Sequence, residues 1–288
     1  MVIKRIFRVL IFIILAIIII NIMPVKNAVS INTFRSDTTN IVLKYASGLG
    51  YPENTEIAFK AASYTDIDTF YISVYKTLDD QCVISSNDNL YYITGKNINI
   101  SESNLEDISG LNFAYFYTND GVNYPYRNQP QGCLTINDLF DNYPFFNYII
   151  SIEQTGDVGS RAAHIIIESV LDHNVITNVV IKGSEDVINN INKLEYNLLS
   201  VSAQNKEISL FNSLSKIYLD NLYLNIDFQY IEVTLDELQG MTKYNINEYH
   251  KRNIALYVSD INSLEDLLLI EQYDVDGLIT VNPNSLKK

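Results

Sequence analysis

The chain has 288 residues, a formal net charge of -14 and two cysteines. This length suits one large α/β domain or two small ones. The acidity argues against nucleic acid and against an anionic lipid surface as partners, because both require clustered Lys or Arg side chains. We therefore expect no nucleic-acid partner.

The first 30 residues predict a cytoplasmic stub followed by a transmembrane signal-anchor, and residues 31–288 predict the folded domain. Lys4, Arg5 and Arg8 precede residues 9–20, which contain no polar side chain, and the whole apolar stretch reaches the length of a short membrane span. The positive-inside rule then places the C-terminal domain outside the cell membrane. Small residues at 28–30 also fit a signal-peptidase site, so a cleaved signal peptide stays open.

Beyond the anchor, apolar runs of strand length alternate with helical patterns, which is typical of parallel strands joined by crossovers. Predicted strands lie at 41–45, 70–74, 82–85, 148–152, 178–181, 198–202, 223–226, 254–258 and 277–280. Helices are expected after Asn54-Thr55, with an apolar face of Ile57, Ala58, Ala61 and Ala62, and at 161–171 and 263–272.

About eight such units predict a (β/α)8 TIM barrel, whose active site forms at the C-terminal strand ends. The Asn-, Tyr-, Gly- and Pro-rich segment 91–143 interrupts the alternation and predicts an inserted loop region over that end, between barrel strands 2 and 3. An open doubly wound sheet is the alternative, although no Gly-rich phosphate loop supports it. Cys82 lies in an apolar run and is expected to be a buried free thiol, with pairing to Cys133 left open.

Several of these segments carry a family resemblance. Pro52-Glu53-Asn54-Thr55, the strand at 70–74, and the segments 134–140, 152–153 and 274–280 occur in the order and spacing of glycerophosphodiester phosphodiesterases, which this chain resembles over nearly all of its folded part. The resemblance implies a TIM barrel and a calcium- or magnesium-dependent hydrolase that cuts deacylated phospholipids into glycerol 3-phosphate and an alcohol. It also implies two catalytic histidines and three carboxylates that bind the metal.

This sequence departs from the family at those positions. The two histidines, the Arg after the first of them and two metal-binding acids are replaced, the substitutes being Lys44, Tyr45, Tyr71, Ser73 and Ser86. Glu153 alone is retained among the metal ligands. His164, His173 and His250, the only histidines, lie downstream of the first two strands and are expected to be surface or helix-packing residues.

The substitutions favour a catalytically inactive relative that has no cofactor and binds a phosphodiester or protein ligand at the barrel mouth. Its candidate ligand-binding residues are Lys44, Tyr45, Glu53, Asn54 and Arg127. Glu153 is expected either to have a functional role or to pair with Lys44 or Lys182, because an unpaired buried carboxylate is costly.

Two alternatives stay open. One is an active phosphoric diester hydrolase with a rebuilt calcium or magnesium site that uses Glu53, Asp79, Asp88 or Glu153. The other is a purely structural domain without a small ligand.

Overall fold

A computed structural model describes residues 2–22, 24–25, 27–28, 32–194, 196, 198–223 and 226–286. The chain begins with helix α1 (Val2–Ile22). Its segment Lys4–Ile22, 19 residues long, is apolar and long enough to cross a membrane, a test that a signal sequence also passes. The small-residue site at 28–30 includes residues 29 and 30, which lie outside the described residues.

Ten strands occur in the described part of the chain: β1 (Asn40–Lys44), β2 (Thr69–Lys76), β3 (Cys82–Ile84), β4 (Leu134–Thr135), β5 (Asn147–Ile152), β6 (Val179–Lys182), β7 (Ser200–Val201), β8 (Tyr230–Val233), β9 (Ala255–Val258) and β10 (Gly277–Thr280). Eight of them form one parallel sheet in the order β7-β6-β5-β2-β1-β10-β9-β8, and β3 and β4 extend from β2 as an antiparallel side branch.

The two end strands of this sheet meet and close it into a barrel. Ser202 and Tyr230 form a parallel bridge. On either side of it the Ala203 amide donates to the Tyr230 carbonyl at 2.9 Å, and the Gln229 amide donates to the Val201 carbonyl at 3.0 Å. The predicted (β/α)8 barrel is confirmed, and an open doubly wound sheet is excluded because its end strands would be separate.

Helices follow most barrel strands and pack outside them, as in other TIM barrels. The described helices after α1 are α2 (Glu56–Ala62), α3 (Tyr91–Thr94), α4 (Leu105–Ser109), α5 (Ile136–Asn142), α6 (Gly156–Asp172), α7 (Glu185–Asn192), α8 (Asn205–Lys216), α9 (Leu235–Gln239), α10 (Lys243–Lys251) and α11 (Leu264–Ile270), of which α3 and α4 lie in the insertion.

Two local predictions were wrong. The strand expected at 223–226 lies instead at Tyr230–Val233, where Glu232 interrupts the apolar pattern; residues 224 and 225 lie outside the described residues. Thr55 directly precedes α2, and its hydroxyl donates to the Pro52 carbonyl at 2.6 Å. The buried face of α2 also includes Phe59 and leaves Ile57 partly exposed, because Phe59 packs against Phe70 at a ring distance of 5.2 Å.

The predicted insertion lies between barrel strands β2 and β5, as expected. It contains α3, α4 and α5, and it forms a small core of its own with β3, in which Val83, Leu90, Ile100, Ile108 and Phe113 are buried. Tyr92 and Phe116 from this segment line one groove with Tyr51 and Glu53 from the β1–α2 loop. The insertion therefore lies beside the C-terminal ends of the strands.

Aromatic side chains fill the barrel interior. Tyr71, Tyr230 and Tyr257 belong to one buried cluster together with Phe34, which precedes β1. The Tyr257 hydroxyl donates to the Phe34 carbonyl at 3.0 Å. Phe34 therefore closes the N-terminal end of the barrel, and the opposite end, which we call the mouth, is left for polar groups.

Candidate functional site

The retained carboxylate Glu153 follows β5 at the mouth and contacts one of the substituted positions. The Ser73 hydroxyl on β2 donates to Glu153 Oε1 at 2.7 Å, and the Tyr45 hydroxyl lies 3.5 Å from Ser73 Oγ. Glu153 is exposed, whereas Ser73 is buried. Water and a hydroxyl therefore solvate this carboxylate, and it needs no buried cationic partner.

The expected pairing of Glu153 with Lys44 or Lys182 was wrong, because both lysines have other partners. Lys44 Nζ lies 3.4 Å from Asp260 Oδ1, and Lys182 forms an ion pair with Glu232. Asp260 follows β9 and Glu232 lies on β8. The two acids therefore approach the lysines from the side opposite to Glu153, which follows β5.

Both lysines also lie over Tyr71, which replaces a metal-binding acid. The ammonium groups of Lys44 and Lys182 are 5.5 Å and 4.9 Å from the centre of its ring. Burial and the nearby Glu232 carboxylate raise the pKa of the Tyr71 hydroxyl far above its ordinary value. Tyr71 therefore stays protonated and supplies a ring and a hydroxyl, but no anionic metal ligand.

Burial disfavours the charged form of Lys44, yet Asp260 together with the hydroxyls of Tyr45 and Tyr71 outweighs it and raises the pKa of the ammonium group. Lys44 therefore remains charged near neutral pH and cannot take up a proton as a general base. A histidine at this position would titrate close to neutral pH.

Ser86 stands where the family has its second catalytic histidine, and its Oγ donates to Glu53 Oε1 at 2.6 Å. The neighbouring Asn54 is only 3% exposed, and its backbone has a φ of 55°. The backbone amide of Asn54 donates to the Tyr45 carbonyl at 2.8 Å. Asn54 thus holds the turn between β1 and α2, since Asn tolerates left-handed geometry better than most residues. Its burial does not support the ligand-binding role expected for it.

Arg127 is exposed on the insertion and stacks on two tyrosines of that segment. Its guanidinium carbon lies 3.7 Å from the Tyr124 ring centre and 5.1 Å from that of Tyr115, and Nε donates to the Tyr115 carbonyl at 3.4 Å. None of these contacts joins Arg127 to a residue at the strand ends. Its predicted contact with a ligand therefore gains no support from these neighbours.

The histidines lie away from the first two strand ends, as predicted. His164 is exposed on α6. His173 ends that helix, with Nδ1 2.7 Å from the Ser169 carbonyl and Nε2 3.1 Å from Asp141. His250 on α10 lies 3.2 Å from Asp274, which precedes β10. The His173 imidazole therefore connects α6 to α5, and that of His250 connects α10 to the start of β10.

A divalent cation does not fit the donors at the mouth. Calcium and magnesium bind several oxygen ligands and usually two or more carboxylates. Across the described residues, no three His, Cys, Asp or Glu side chains are grouped so that they could hold a metal ion. Asp79, one of the candidates for a rebuilt site, is engaged by the Thr77 hydroxyl at 2.6 Å, and both Asp88 oxygens accept hydrogen bonds from Ser101.

Two residues of the mouth, Glu232 and Asp260, were missed in the sequence analysis. Glu232 was hidden inside an apolar strand pattern, and Asp260 follows β9 at a backbone φ of 61°. A charged residue in the middle of a buried strand was the available signal for Glu232, because such a side chain must reach a partner or water.

The family model for the glycerophosphoryl diester phosphodiesterase family matches residues 46–285. An uncharacterized protein of Mycoplasma genitalium is 38% identical over 63 residues, which are 22% of this chain and 26% of that protein, so the match spans about a quarter of the relative. Its uncharacterized homolog in Mycoplasma pneumoniae is 23% identical over 205 residues, covering 69% of this chain and 76% of the homolog.

Solved structures show the same fold. The glycerophosphoryl diester phosphodiesterase domain of an uncharacterized Mycobacterium tuberculosis protein has a TM-score of 0.71 at 14% identity and covers 86% of this chain and 97% of that domain. An Oleispira antarctica phosphodiesterase in complex with sn-glycerol-3-phosphate has a TM-score of 0.66 at 12% identity. The match covers 88% of this chain and 96% of that phosphodiesterase.

Proposed function

Because this chain belongs to the glycerophosphoryl diester phosphodiesterase family, we propose that it is a non-hydrolytic member, displayed outside the cell membrane by α1. One observation carries the proposal: the first two catalytic positions hold Lys44 and Ser86, and neither side chain titrates near neutral pH as a histidine does. Lys44 is held in its charged form by Asp260, and Ser86 donates to Glu53.

The expected loss of rate is large. Proton transfer by a positioned side chain is worth roughly 10² to 10⁴-fold, and two such groups are replaced. The metal-binding acids are replaced as well, apart from Glu153, and one carboxylate does not make a calcium or magnesium site. These losses affect one reaction step, so little hydrolysis should remain.

A binding role for the mouth is supported by its two ammonium groups. Lys44 and Lys182 flank Tyr71 and are the cations that a phosphodiester anion would meet there. Asp260, the partner of Lys44, is largely exposed, so this ion pair contributes little and can open. A protein partner could occupy the mouth instead of a phosphodiester, and a binding experiment with small phosphodiesters separates these two ligands.

A rebuilt hydrolase is the second candidate. The contact between Ser86 and Glu53 favours it, because it leaves a carboxylate next to the position where the family's second histidine belongs. In this alternative Glu53 and Glu153 would serve a displaced calcium or magnesium ion.

Hydrolysis by the purified full chain separates these candidates. The chain is incubated in detergent with glycerophosphocholine and calcium or magnesium, and glycerol 3-phosphate is measured. The proposal predicts the same background for the natural chain and for Glu153→Ala, with Glu168→Ala on α6 as a matched control. Metal-dependent turnover that disappears only in Glu153→Ala would establish the rebuilt hydrolase.

Ligand binding is tested by thermal denaturation with glycerophosphocholine or sn-glycerol-3-phosphate, since a ligand of the folded state raises the midpoint. We expect a shift that is lost in Lys44→Met and Lys182→Met but kept in Lys60→Met, whose side chain is exposed on α2. If the midpoint of the natural chain does not shift, a phosphodiester ligand is excluded, and a protein partner or a purely structural role is left.

The orientation is tested by adding trypsin to intact cells that express the chain. Lys4, Arg5 and Arg8 precede the span, which supports a cytoplasmic N-terminus. The C-terminal domain should be degraded from outside while an N-terminal epitope tag survives. Protection of the domain until the cells are lysed would contradict this orientation.

A further inference from the structure

Helix α8 has apolar side chains on two faces, whereas one is enough to pack it on the barrel. Ile208 and Phe211 are buried against the domain. Leu210 and Ile217 are 52% and 57% exposed on the other face, and the turn that follows exposes Tyr218 and Leu222. We call Leu210, Leu214, Ile217, Tyr218 and Leu222 the outer apolar surface. A contiguous exposed patch of this kind is typical of an interaction site.

The same surface is joined to the end of α1. The Asn21 side chain donates to the Tyr218 carbonyl at 3.0 Å, and the Asn221 side chain donates to the Ile20 carbonyl at 3.1 Å. Ile17 and Ile20 are half-buried, whereas most apolar side chains of α1 are exposed. The turn after α8 therefore lies beside the last apolar residues of the candidate membrane span.

We propose that the outer apolar surface rests on the phospholipid bilayer that holds α1. The inference relies on the proposed anchoring of α1. Because Ile20 lies within the span and contacts Asn221, Tyr218 and Leu222 cannot be far from the level at which the chain leaves the lipid. Tyrosines with neighbouring aliphatic side chains are enriched at that level, since the ring is apolar and the hydroxyl reaches water.

A groove of about 580 Å³ enlarges this surface. Leu210, Leu214 and Leu222 line it together with three charged side chains, Lys206, Glu207 and Asp227. The acids outnumber the lysine and disfavour an anionic lipid surface, so a zwitterionic bilayer suits the whole patch better. Contact through apolar side chains also agrees with the net negative charge of the chain.

The attachment fixes the direction of the mouth. Helix α8 begins after β7 at the mouth and runs for 12 residues, about 18 Å, to the opposite end of the barrel. Since α1 meets the domain just beyond that end, and the outer apolar surface runs from there to Leu210, halfway along α8, the mouth opens at the end of the barrel farther from the span. Ligands would reach Lys44 and Lys182 from the aqueous side rather than from the membrane that holds the chain.

Tryptophan fluorescence tests the contact, because the natural chain contains no Trp. The full chain is reconstituted into phosphatidylcholine vesicles as Tyr218→Trp or as the matched control Tyr92→Trp, which substitutes an 80% exposed tyrosine beside the mouth. Emission is compared between ordinary vesicles and vesicles whose acyl chains are brominated, since bromine quenches only a ring that reaches the lipid.

We expect emission from Tyr218→Trp to be blue-shifted and quenched about twofold or more, because interfacial side chains lie 5–10 Å deep, and emission from Tyr92→Trp to be unchanged. Equal quenching of the two variants, or none at Tyr218→Trp in vesicles that carry the chain, would overturn the docking. Flotation of the vesicles is scored separately: a chain that stays behind would refute the anchor itself.

Discussion

Replacing Arg252 with Met should strongly destabilise the domain. The guanidinium is 1% exposed and donates to Asp220 at 2.8 Å and to Asn221 at 2.7 Å, and it also forms an ion pair with Glu248. Met retains most of the apolar volume but leaves the buried Asp220 without a cation and Glu248 with only Lys251, whose Nζ lies 3.3 Å from Oε1. Removing one partner of a buried ion pair typically costs about 3 to 5 kcal/mol of unfolding free energy.

The matched control is Arg161→Met, which removes an exposed pair with Asp80. Such pairs contribute about 0 to 1 kcal/mol. Both variants are unfolded with urea in detergent, and the loss of the near-ultraviolet tyrosine signal gives the free energy of unfolding. A cost below about 1 kcal/mol for Arg252→Met, equal to that of the control, would refute the reasoning.

The unfolding free energy lost in Arg252→Met should also depend on pH. Burial opposes ionisation of Asp220, but hydrogen bonds from Tyr244 and the charge of Arg252 outweigh it and hold its pKa below the usual range. A lowered carboxyl pKa stabilises the fold above the unfolded value of about 3.9, and this contribution is lost as pH falls through the folded value. The difference between the natural chain and Arg252→Met should therefore narrow below about pH 4.

Three further changes have defined outcomes. Burial opposes ionisation of Asp276, but the His250 imidazole, 3.3 Å from Oδ2, and a hydrogen bond from Arg35 lower its pKa. Asp276→Asn should therefore cost on the order of 3 kcal/mol at pH 7 in urea unfolding and progressively less below about pH 4; a constant cost would contradict this. In Gly277→Ala the new Cβ would lie 2.3 Å from the Tyr257 ring, and calorimetry should show a loss of about 1 to 3 kcal/mol; an unchanged midpoint would show that the ring moves freely. Burial raises the pKa of Cys82 to about 12, so in Cys133→Ser a thiol reagent should label Cys82 at the rate of unfolding, and labelling faster than unfolding would argue against its burial.

The fold was predictable because parallel barrel strands are buried on both sides and stand out as continuous apolar runs. Gly277–Thr280 and Asn147–Ile152 were found within one residue on this basis. Strand β8 was missed because Glu232, which pairs with Lys182, interrupts its apolar run. The strand predicted at 198–202 is longer than β7, because Leu198 and Leu199 are apolar without pairing as a strand and Ser202 forms only an isolated bridge.

The residues of the candidate site were largely predictable, but their partners were not. Position in the family pattern identified Lys44, Tyr71 and Glu153 at the strand ends. Which acid meets which lysine depends on barrel closure, because β8 and β9 bring Glu232 and Asp260 across the mouth from distant parts of the chain. A single sequence contains no local signal for such a pairing.

Phosphorus NMR of glycerophosphocholine mixed with an equal concentration of the full chain shows whether the chain hydrolyses a phosphodiester at all. At this ratio even one turnover per molecule converts all of the substrate, so slow residual chemistry becomes visible. With saturating calcium, we expect the diester resonance to decay over days no faster than in a protein-free sample. A glycerol 3-phosphate resonance that grows with calcium and is absent in Glu153→Ala would contradict it.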